Sequence, residues 1–378
     1  MYCFQCQETA KNEACTIKGV CGKPEETADL QDLLIFVSKG IAVFGEKLND
    51  QGMIDKDAAR FIGKVLFVTV TNVAWDDGAI IDWIKEGLEV RAAVREKVDT
   101  ANLSTLPACA TWTPADHAEI MDKALSDEVR ITATENDDVR SLRELLIIGC
   151  KGIAAYADHA AILGYDRDDI DSFLMEALAS TTKDLDTDEM IALVMEAGDV
   201  AVKTMALLDE AHTSTYGHPE ITEVNIGVRE NPAILISGHD LKDMQELLEQ
   251  TEGTGVDVYT HGEMLPANYY PAFKSYDHFV GNYGGSWWRQ NKEFESFNGP
   301  IILTTNCLIP IKARNTYLDR LFTTGVVSYP RATHIAERSE GGAKDFSQVI
   351  ELAKGSTPPE EIESGTLVGG FAHNQVLA

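Results

Sequence analysis

Four cysteines open the chain as C-x2-C-x8-C-x5-C: Cys3, Cys6, Cys15 and Cys21. Four thiolates are enough to close a metal site with no other ligand. Structural zinc commonly uses two paired C-x2-4-C knuckles. Here one tight pair is followed by two separate cysteines, which favours an iron–sulfur cluster, with zinc as the alternative and four unrelated buried cysteines as the bland one. Gly19 and Gly22 allow the backbone to come close to an anionic cluster. A helix predicted from Pro24 would aim its positive amino end the same way. A centre at the amino terminus lies near a surface, which suits electron entry.

Three further side chains can ligate metal. His239 follows the apolar run 233–237 (AILIS), Glu263 follows 256–260 and Cys307 follows 301–305. If these runs are neighbouring parallel strands, all three side chains reach the crevice outside the strands' carboxyl ends. Imidazole and thiolate suit iron, and a carboxylate can detach to leave an open coordination position. Each alone is more often a capping, hydrogen-bonding or buried residue than a ligand. His261 is predicted to share a face with Glu263 and is a candidate proton donor or partner of a ligand.

The elements that must carry these residues fall into two textures. Leu30, Leu33, Leu34, Val37, Ile41, Phe44 and Leu48 recur at helical spacing after Pro24, predicting an amphipathic helix. The same pattern returns over 138–163, with Leu30 matching Leu142 and Lys39-Gly40-Ile41-Ala42 matching Lys151-Gly152-Ile153-Ala154 at a constant offset of 112. Further helices are predicted over 79–98 and, after the capping-box-like Asp186-Thr-Asp-Glu189, over 190–210. After turn-rich punctuation at 213–232 the pattern becomes alternating strand and helix, with strands at 233–237, 256–260, 278–280, 301–305 and 325–328. The fold class is therefore multi-domain α and α/β: an all-α domain of two helical bundles followed by a Rossmann-like doubly wound α/β domain. The expected boundaries are 1–23 for the cysteine segment, 24–215 for the bundles, 216–366 for the α/β domain and 367–378 for the start of a truncated third domain. The run GTLVGGFAHNQVLA begins another element and reads as a cut.

The glycine-rich stretch 281–288 (GNYGGSWW) lacks dinucleotide-binding spacing and predicts a tight loop with tryptophan packing. No P-loop, H-E-x-x-H or G-x-S-x-G occurs. Cys109, in a Pro/Thr-rich loop, and Cys150, on a helix's apolar face, read as structural. Of the 378 residues 44% are hydrophobic, ample for two or three cores, and 61 Asp+Glu against 32 Lys+Arg leave a net charge of −29. Such acidity repels phosphate backbones and anionic lipid, so nucleic-acid binding and peripheral membrane attachment are poor readings. No secretory signal is read at 1–7, no apolar run is expected to approach a membrane span, and seven clustered and scattered cysteines suit a reducing cytoplasm.

Together MYCFQCQETAKNEACTIKGVCGKPEETADLQDLLIF, ISGHDLKDM, DVYTHGEMLPANYYPAF, HFVGNYGGSWW and LTTNCLIP resemble the hybrid-cluster (prismane) protein family along the whole chain. The cysteine spacing is similar to the branch with an N-terminal [4Fe-4S] cluster rather than [2Fe-2S]. The resemblance implies that Cys3, Cys6, Cys15 and Cys21 bind that cluster, and that His239, Glu263 and Cys307 ligate a hybrid [4Fe-2O-2S] cluster buried between domains. It implies a hydroxylamine reductase, forming ammonia and water with electrons from a redox protein, with nitric oxide reduction as a related activity. Family members continue into a third domain that supplies three cysteines and a glutamate, and no cysteine follows Cys307 here. The chain alone is thus expected to lack part of the ligand set. The rival readings are a non-catalytic iron–sulfur electron-transfer fragment and a carbon monoxide dehydrogenase-like enzyme.

Overall fold

Short polar side chains start most of the helices. In a computed structural model, which describes residues 1–99, 105–305, 308–339, 341–372 and 376, Asp55, Asp76, Asp116 and Asn136 each accept a backbone N–H from the first turn they precede. Such a cap contributes about 1 kcal/mol. They open α2 (Lys56–Val68), α3 (Asp77–Lys97), α5 (His117–Ala124) and α6 (Asp137–Ile162). Asp186 and Glu189 form the reciprocal capping box expected of them, each accepting from the other's backbone N–H at 2.9 Å, and start α8 (Thr187–Tyr216). The remaining helices of this part are α1 (Glu25–Asn49), α4 (Ala108–Thr111) and α7 (Asp168–Ser180).

The chain divides into two units, Met1–Asp209 and Glu210–Ala378. In the first, α1 is the hub: it packs against α2, α3, α4, α5 and α7. Eighteen of its 25 residues are buried, so the helix predicted to be amphipathic is instead covered on most faces. The recurrent helix α6 packs against α2 and α7, but Leu145 is 51% exposed where its counterpart Leu33 is fully buried. Contrary to expectation, α6 is long and apolar enough to cross a membrane by length and composition, with a mean hydropathy of 1.4 over 18 residues. A single lysine, Lys151, interrupts its apolar run without lowering that mean much, and this lysine is buried in the unit. Cys109 lies on α4 rather than in a loop, and its carbonyl accepts from Arg91 at 2.7 Å. Burial pushes the thiols of Cys109 and Cys150 up to about 11 and about 12, so both stay protonated, as structural cysteines do.

The second unit holds a six-stranded parallel sheet. Its strands are β2 (Ala233–Ser237), β3 (Asp257–His261), β4 (Phe279–Asn282), β5 (Ile301–Leu303), β6 (Leu321–Thr323) and β7 (Thr333–His334), in the order β4-β3-β2-β5-β6-β7. This is a doubly wound order, and its direction reverses between β2 and β5. Both β2 and β3 are buried throughout; β2 (AILIS) accordingly reads as a continuous apolar run, whereas β3 (DVYTH) buries Asp257, Thr260 and His261 as well. The strand expected at 325–328 is a turn at 325–326 instead, with Val327 N–H closing onto the Thr324 carbonyl. The parallel partner of β5 is the preceding Leu321–Thr323, aligned Ile301 to Leu321 and Leu303 to Thr323. Val326 and Val327 fill core rather than ladder positions.

Helix α9 (Leu241–Thr251), capped by Asp240, follows β2, and α10 (Gln290–Phe297) precedes β5. Buried Asp243 and Glu246 on α9 bind Arg338 and Lys344, with Arg338 Nε 2.8 Å from Glu246 and Lys344 Nζ 3.0 Å from Asp243. That network fastens α9 to the segment before α11 (Ser347–Lys354). A separate antiparallel ribbon joins β1 (Thr222–Asn225) to β8 (Thr366–Gly369). Residues 367–369 therefore pair within this unit.

Candidate metal centres

The first centre is built on an isolated bridge. Cys3 and Cys15 exchange backbone hydrogen bonds of 3.1 and 2.8 Å, so the two outer members of the first turn face each other. Between them Lys11 and Asn12 both take left-handed backbone, which reverses the chain. The Met1 ammonium, 2.8 Å from Glu25 and 3.3 Å from Asp29, fastens the segment onto the first turns of α1. Cys15 is buried and Cys3, Cys6 and Cys21 are half-buried, and all four are free thiols. Burial pushes the Cys6 thiol up, the Glu8 backbone opposes this, and the charges of Cys21, Cys3 and Cys15 push it further. The four sulfurs therefore lie within electrostatic reach of one another, and as thiolates they would repel without a cation between them. That donor set fits an iron–sulfur cluster. Among the described residues no group of three His, Cys, Asp or Glu side chains has single-ion geometry. A cuboidal cluster gives each thiolate its own iron and so asks for a wider ring than one ion does.

The second centre stands where the strand order reverses. Gly238, at φ +122°, turns the chain out of β2, and a Cβ there would fall 2.3 Å from Thr304 Oγ1 and 2.7 Å from the Thr305 nitrogen. Only glycine fits, and the next residue, His239, is thereby aimed at the crevice. Its backbone N–H donates to Thr304 Oγ1 at 3.2 Å, and its Nδ1 is 2.8 Å from Thr305 Oγ1. Glu263 sits in the first turn of a 3-10 helix, Gly262–Tyr269, that follows β3. His239 Nε2 and Glu263 Oε2 meet at 2.9 Å, with side chains 39% and 58% exposed. Two of the three expected ligands are thus together. The third, Cys307, lies outside the described residues. An imidazole nitrogen and a carboxylate oxygen converging at a strand-end crevice form a donor pair that fits iron.

His261, the candidate proton donor or partner of a ligand, is buried at the end of β3. Its side chain is 1% exposed, with Nδ1 3.1 Å from Ser237 Oγ and Nε2 2.9 Å from Glu293 Oε2. The Phe294 ring packs edge-on to it with centroids 4.9 Å apart. Glu293 also accepts the Gly285 N–H at 3.2 Å, beside Gly284, where a Cβ would strike the Glu293 carboxylate at 2.6 Å. Glu293 escaped the sequence reading. Its one signal is a carboxylate on the stripe Gln290, Glu293, Phe294 and Phe297, which α10 buries. A buried acid on an apolar face needs a partner, and His261 supplies it.

Ser237, His261, Glu263, Trp287 and Trp288 line a cavity of about 420 Å³. The stretch was expected to form a tight loop with tryptophan packing, and the two rings pack edge to face on each other, centroids 5.6 Å apart, while staying 37% and 61% exposed. They follow a glycine pair and open a short 3-10 turn, Trp287–Arg289.

Comparison with known proteins matches residues 1–372 to the Prismane/CO dehydrogenase family. The chain is 74% identical over 378 residues to a protein of Desulfosudis oleivorans named hydroxylamine reductase. It is 66% identical to one of that name from Nitratidesulfovibrio vulgaris and 54% identical to another from Methanocaldococcus jannaschii. Each match covers all of this chain and 69% of the relative. Among solved structures it is similar to carbon monoxide dehydrogenase IV from Carboxydothermus hydrogenoformans, at 17% identity and a TM-score of 0.42, over 98% of this chain and 57% of that one.

Proposed function

The chain belongs to the Prismane/CO dehydrogenase family, and from that premise we propose that it carries the iron–sulfur machinery of a hydroxylamine reductase, with a [4Fe-4S] cluster on Cys3, Cys6, Cys15 and Cys21 and a hybrid cluster on His239, Glu263 and Cys307. The reaction is NH2OH + 2e⁻ + 2H⁺ → NH3 + H2O, with electrons from a redox-protein donor. When bound, the metal groups supply single electrons and a Lewis-acidic iron for the N–O group. The observation that carries the reading is the 2.9 Å approach of His239 Nε2 to Glu263 Oε2 at the carboxyl ends of adjacent strands, in a chain aligned throughout with proteins of that name.

The chain's own residues divide the work. Thr305 holds His239 Nδ1, leaving Nε2 for metal. Glu263, 58% exposed on the first turn of a 3-10 helix, would be the detachable ligand, since a carboxylate can leave a coordination position open. Glu293 and Ser237 clamp His261 from both ring nitrogens, which fixes the end of β3 from which Glu263 projects. A cytoplasmic setting belongs to the proposal, because the four cysteines must remain thiols.

A second reading, an electron-transfer chain without turnover, rests on the four-cysteine segment, whose donors lie together between Cys3 and Cys21 and are enough for a cluster without the second centre. Intact mass, iron and nickel per chain, and hydroxylamine-dependent oxidation of a reduced dye under anaerobic conditions decide between them. About eight irons with turnover supports the reductase. About four irons without turnover in a chain of 378 residues overturns catalysis by this chain, and stoichiometric nickel favours the dehydrogenase-like rival.

A further inference from the structure

The first unit contains a cavity of about 250 Å³ that plays no part in the reading above. Its wall includes Asp32 and Lys39 from α1 and Glu144 and Lys151 from α6. The two pairs stand at the same 112-residue offset as the helices' sequence recurrence. On each helix the acid and the lysine are seven residues apart, two turns along one face. The duplication has thus gathered two carboxylates and two ammonium groups around one space.

Among the described residues, the side chains of Asp32, Lys39 and Glu144 have no hydrogen bond or ion pair. Lys151 alone is held, by the Thr69 carbonyl at 3.0 Å and Gln5 Oε1 at 3.2 Å. Ionisable groups left this way around a void require water, and the space holds on the order of eight molecules at about 30 Å³ each. Every member is pushed towards its neutral form. Burial raises Asp32 to about 7, with the Glu144 charge adding to it, and burial also raises Glu144. Burial lowers Lys39 and brings Lys151 down to about 8, with the Lys23 charge adding to it. The other charged or titratable groups facing them are Lys23 and Asp29 at the amino-terminal side, Cys109 on α4, Glu128 and Arg130 after α5, and Arg143 on α6.

The cavity also reaches the cysteine segment. Gln5, between Cys3 and Cys6, lines it and accepts from Lys151, whose ammonium feels the Cys3 charge. We propose that this cavity is a proton-binding site coupled to the four-cysteine centre: one electron delivered there by a low-potential one-electron donor draws one proton from solvent onto the Asp32/Glu144 pair, and reoxidation releases it. The inference rests on the cluster assignment made above. Added negative charge at the cysteines favours the protonated carboxylic acid, so reduction and proton uptake assist each other.

The test is a redox titration of the full chain with reduced viologen between about pH 6 and 8, a window bracketing the proton affinity of Asp32, followed by the electron paramagnetic resonance of the reduced cluster. The expected midpoint potential falls as pH rises, by at most about 59 mV per tenfold change in proton concentration for a one-electron couple. The slope should flatten in the double variant D32N/E144Q. In parallel, a carboxylic C=O band should appear in the infrared on reduction of the wild type and be lost in D32N or E144Q. A flat wild-type potential with a normal cluster signal overturns the proton site alone. A slope and band that persist in the double variant overturn the assignment to these carboxylates. No four-iron signal in the wild type overturns the cluster reading and the inference with it.

Discussion

Replacing Gly238 by alanine tests the geometry of the second centre without touching a ligand. The residue sits at φ +122°, a region essentially confined to glycine, and forcing an L side chain there costs about 1–3 kcal/mol. The new methyl also lands 2.3 Å from Thr304 Oγ1 and 2.7 Å from Thr305 Oγ1. Those hydroxyls hold the His239 backbone and ring, so they cannot retreat without releasing the histidine. Overpacking of this kind costs a further 1–3 kcal/mol or so. A total of about 3 kcal/mol is expected, which lowers the urea midpoint of the second unit by about 1 M at the slopes usual for such sizes. The assay is urea unfolding followed by tryptophan fluorescence, with the visible absorption of a reconstituted four-cysteine centre as the control. The control should not move. A G238A unfolding free energy within about 0.3 kcal/mol of wild type would refute the claim that the His239 turn has no room for a side chain.

Other perturbations reach the remaining parts. Glu293→Ala strips a buried histidine of its carboxylate and is expected to cost about 3–5 kcal/mol in urea unfolding, whereas Glu293→Gln, which keeps an acceptor, should cost clearly less; equal losses would show that the His261 contact does not matter. Cys15→Ser removes a buried thiol from the first centre, and iron analysis should show about four fewer irons per chain with the second unit's unfolding unchanged. Asp32 keeps its proton up to about pH 7 when folded, against about 4 in the unfolded chain. The folded state therefore binds more protons across that window, and this residue's contribution to stability falls as pH rises through it. Asp32→Asn should leave stability little changed near pH 4 and raise it, relative to wild type, by on the order of 4 kcal/mol near pH 8; a difference that does not vary with pH would count against a buried acid there.

The sequence by itself determined most of what is local. Helical spacing after Pro24, the Asp186–Glu189 capping box and the all-apolar AILIS run each depend on neighbours within a few residues, and the structure has those elements. The four-cysteine segment was legible for the same reason, since its donors lie within 19 positions of chain, from Cys3 to Cys21. The strand-end positions of His239 and Glu263 were legible because a parallel strand announces its own carboxyl end. Where the run was short the reading slipped, as at 325–328, because either neighbouring triplet, Leu321–Thr323 or the valines beyond it, could have served and only the register against β5 chose. Whether α1 is a surface helix or a buried hub was likewise left to packing, because a wide apolar face suits both until other helices cover it. The same holds for the exposed tryptophans. The Ser237–His261–Glu293 chain joins residues 24 and 32 positions apart, and the quartet of Asp32, Lys39, Glu144 and Lys151 joins two helices more than 100 apart. Such partners are chosen by where whole elements come to rest, since a buried charge takes whichever opposite group or water the packing brings within reach; only the tertiary structure decided them.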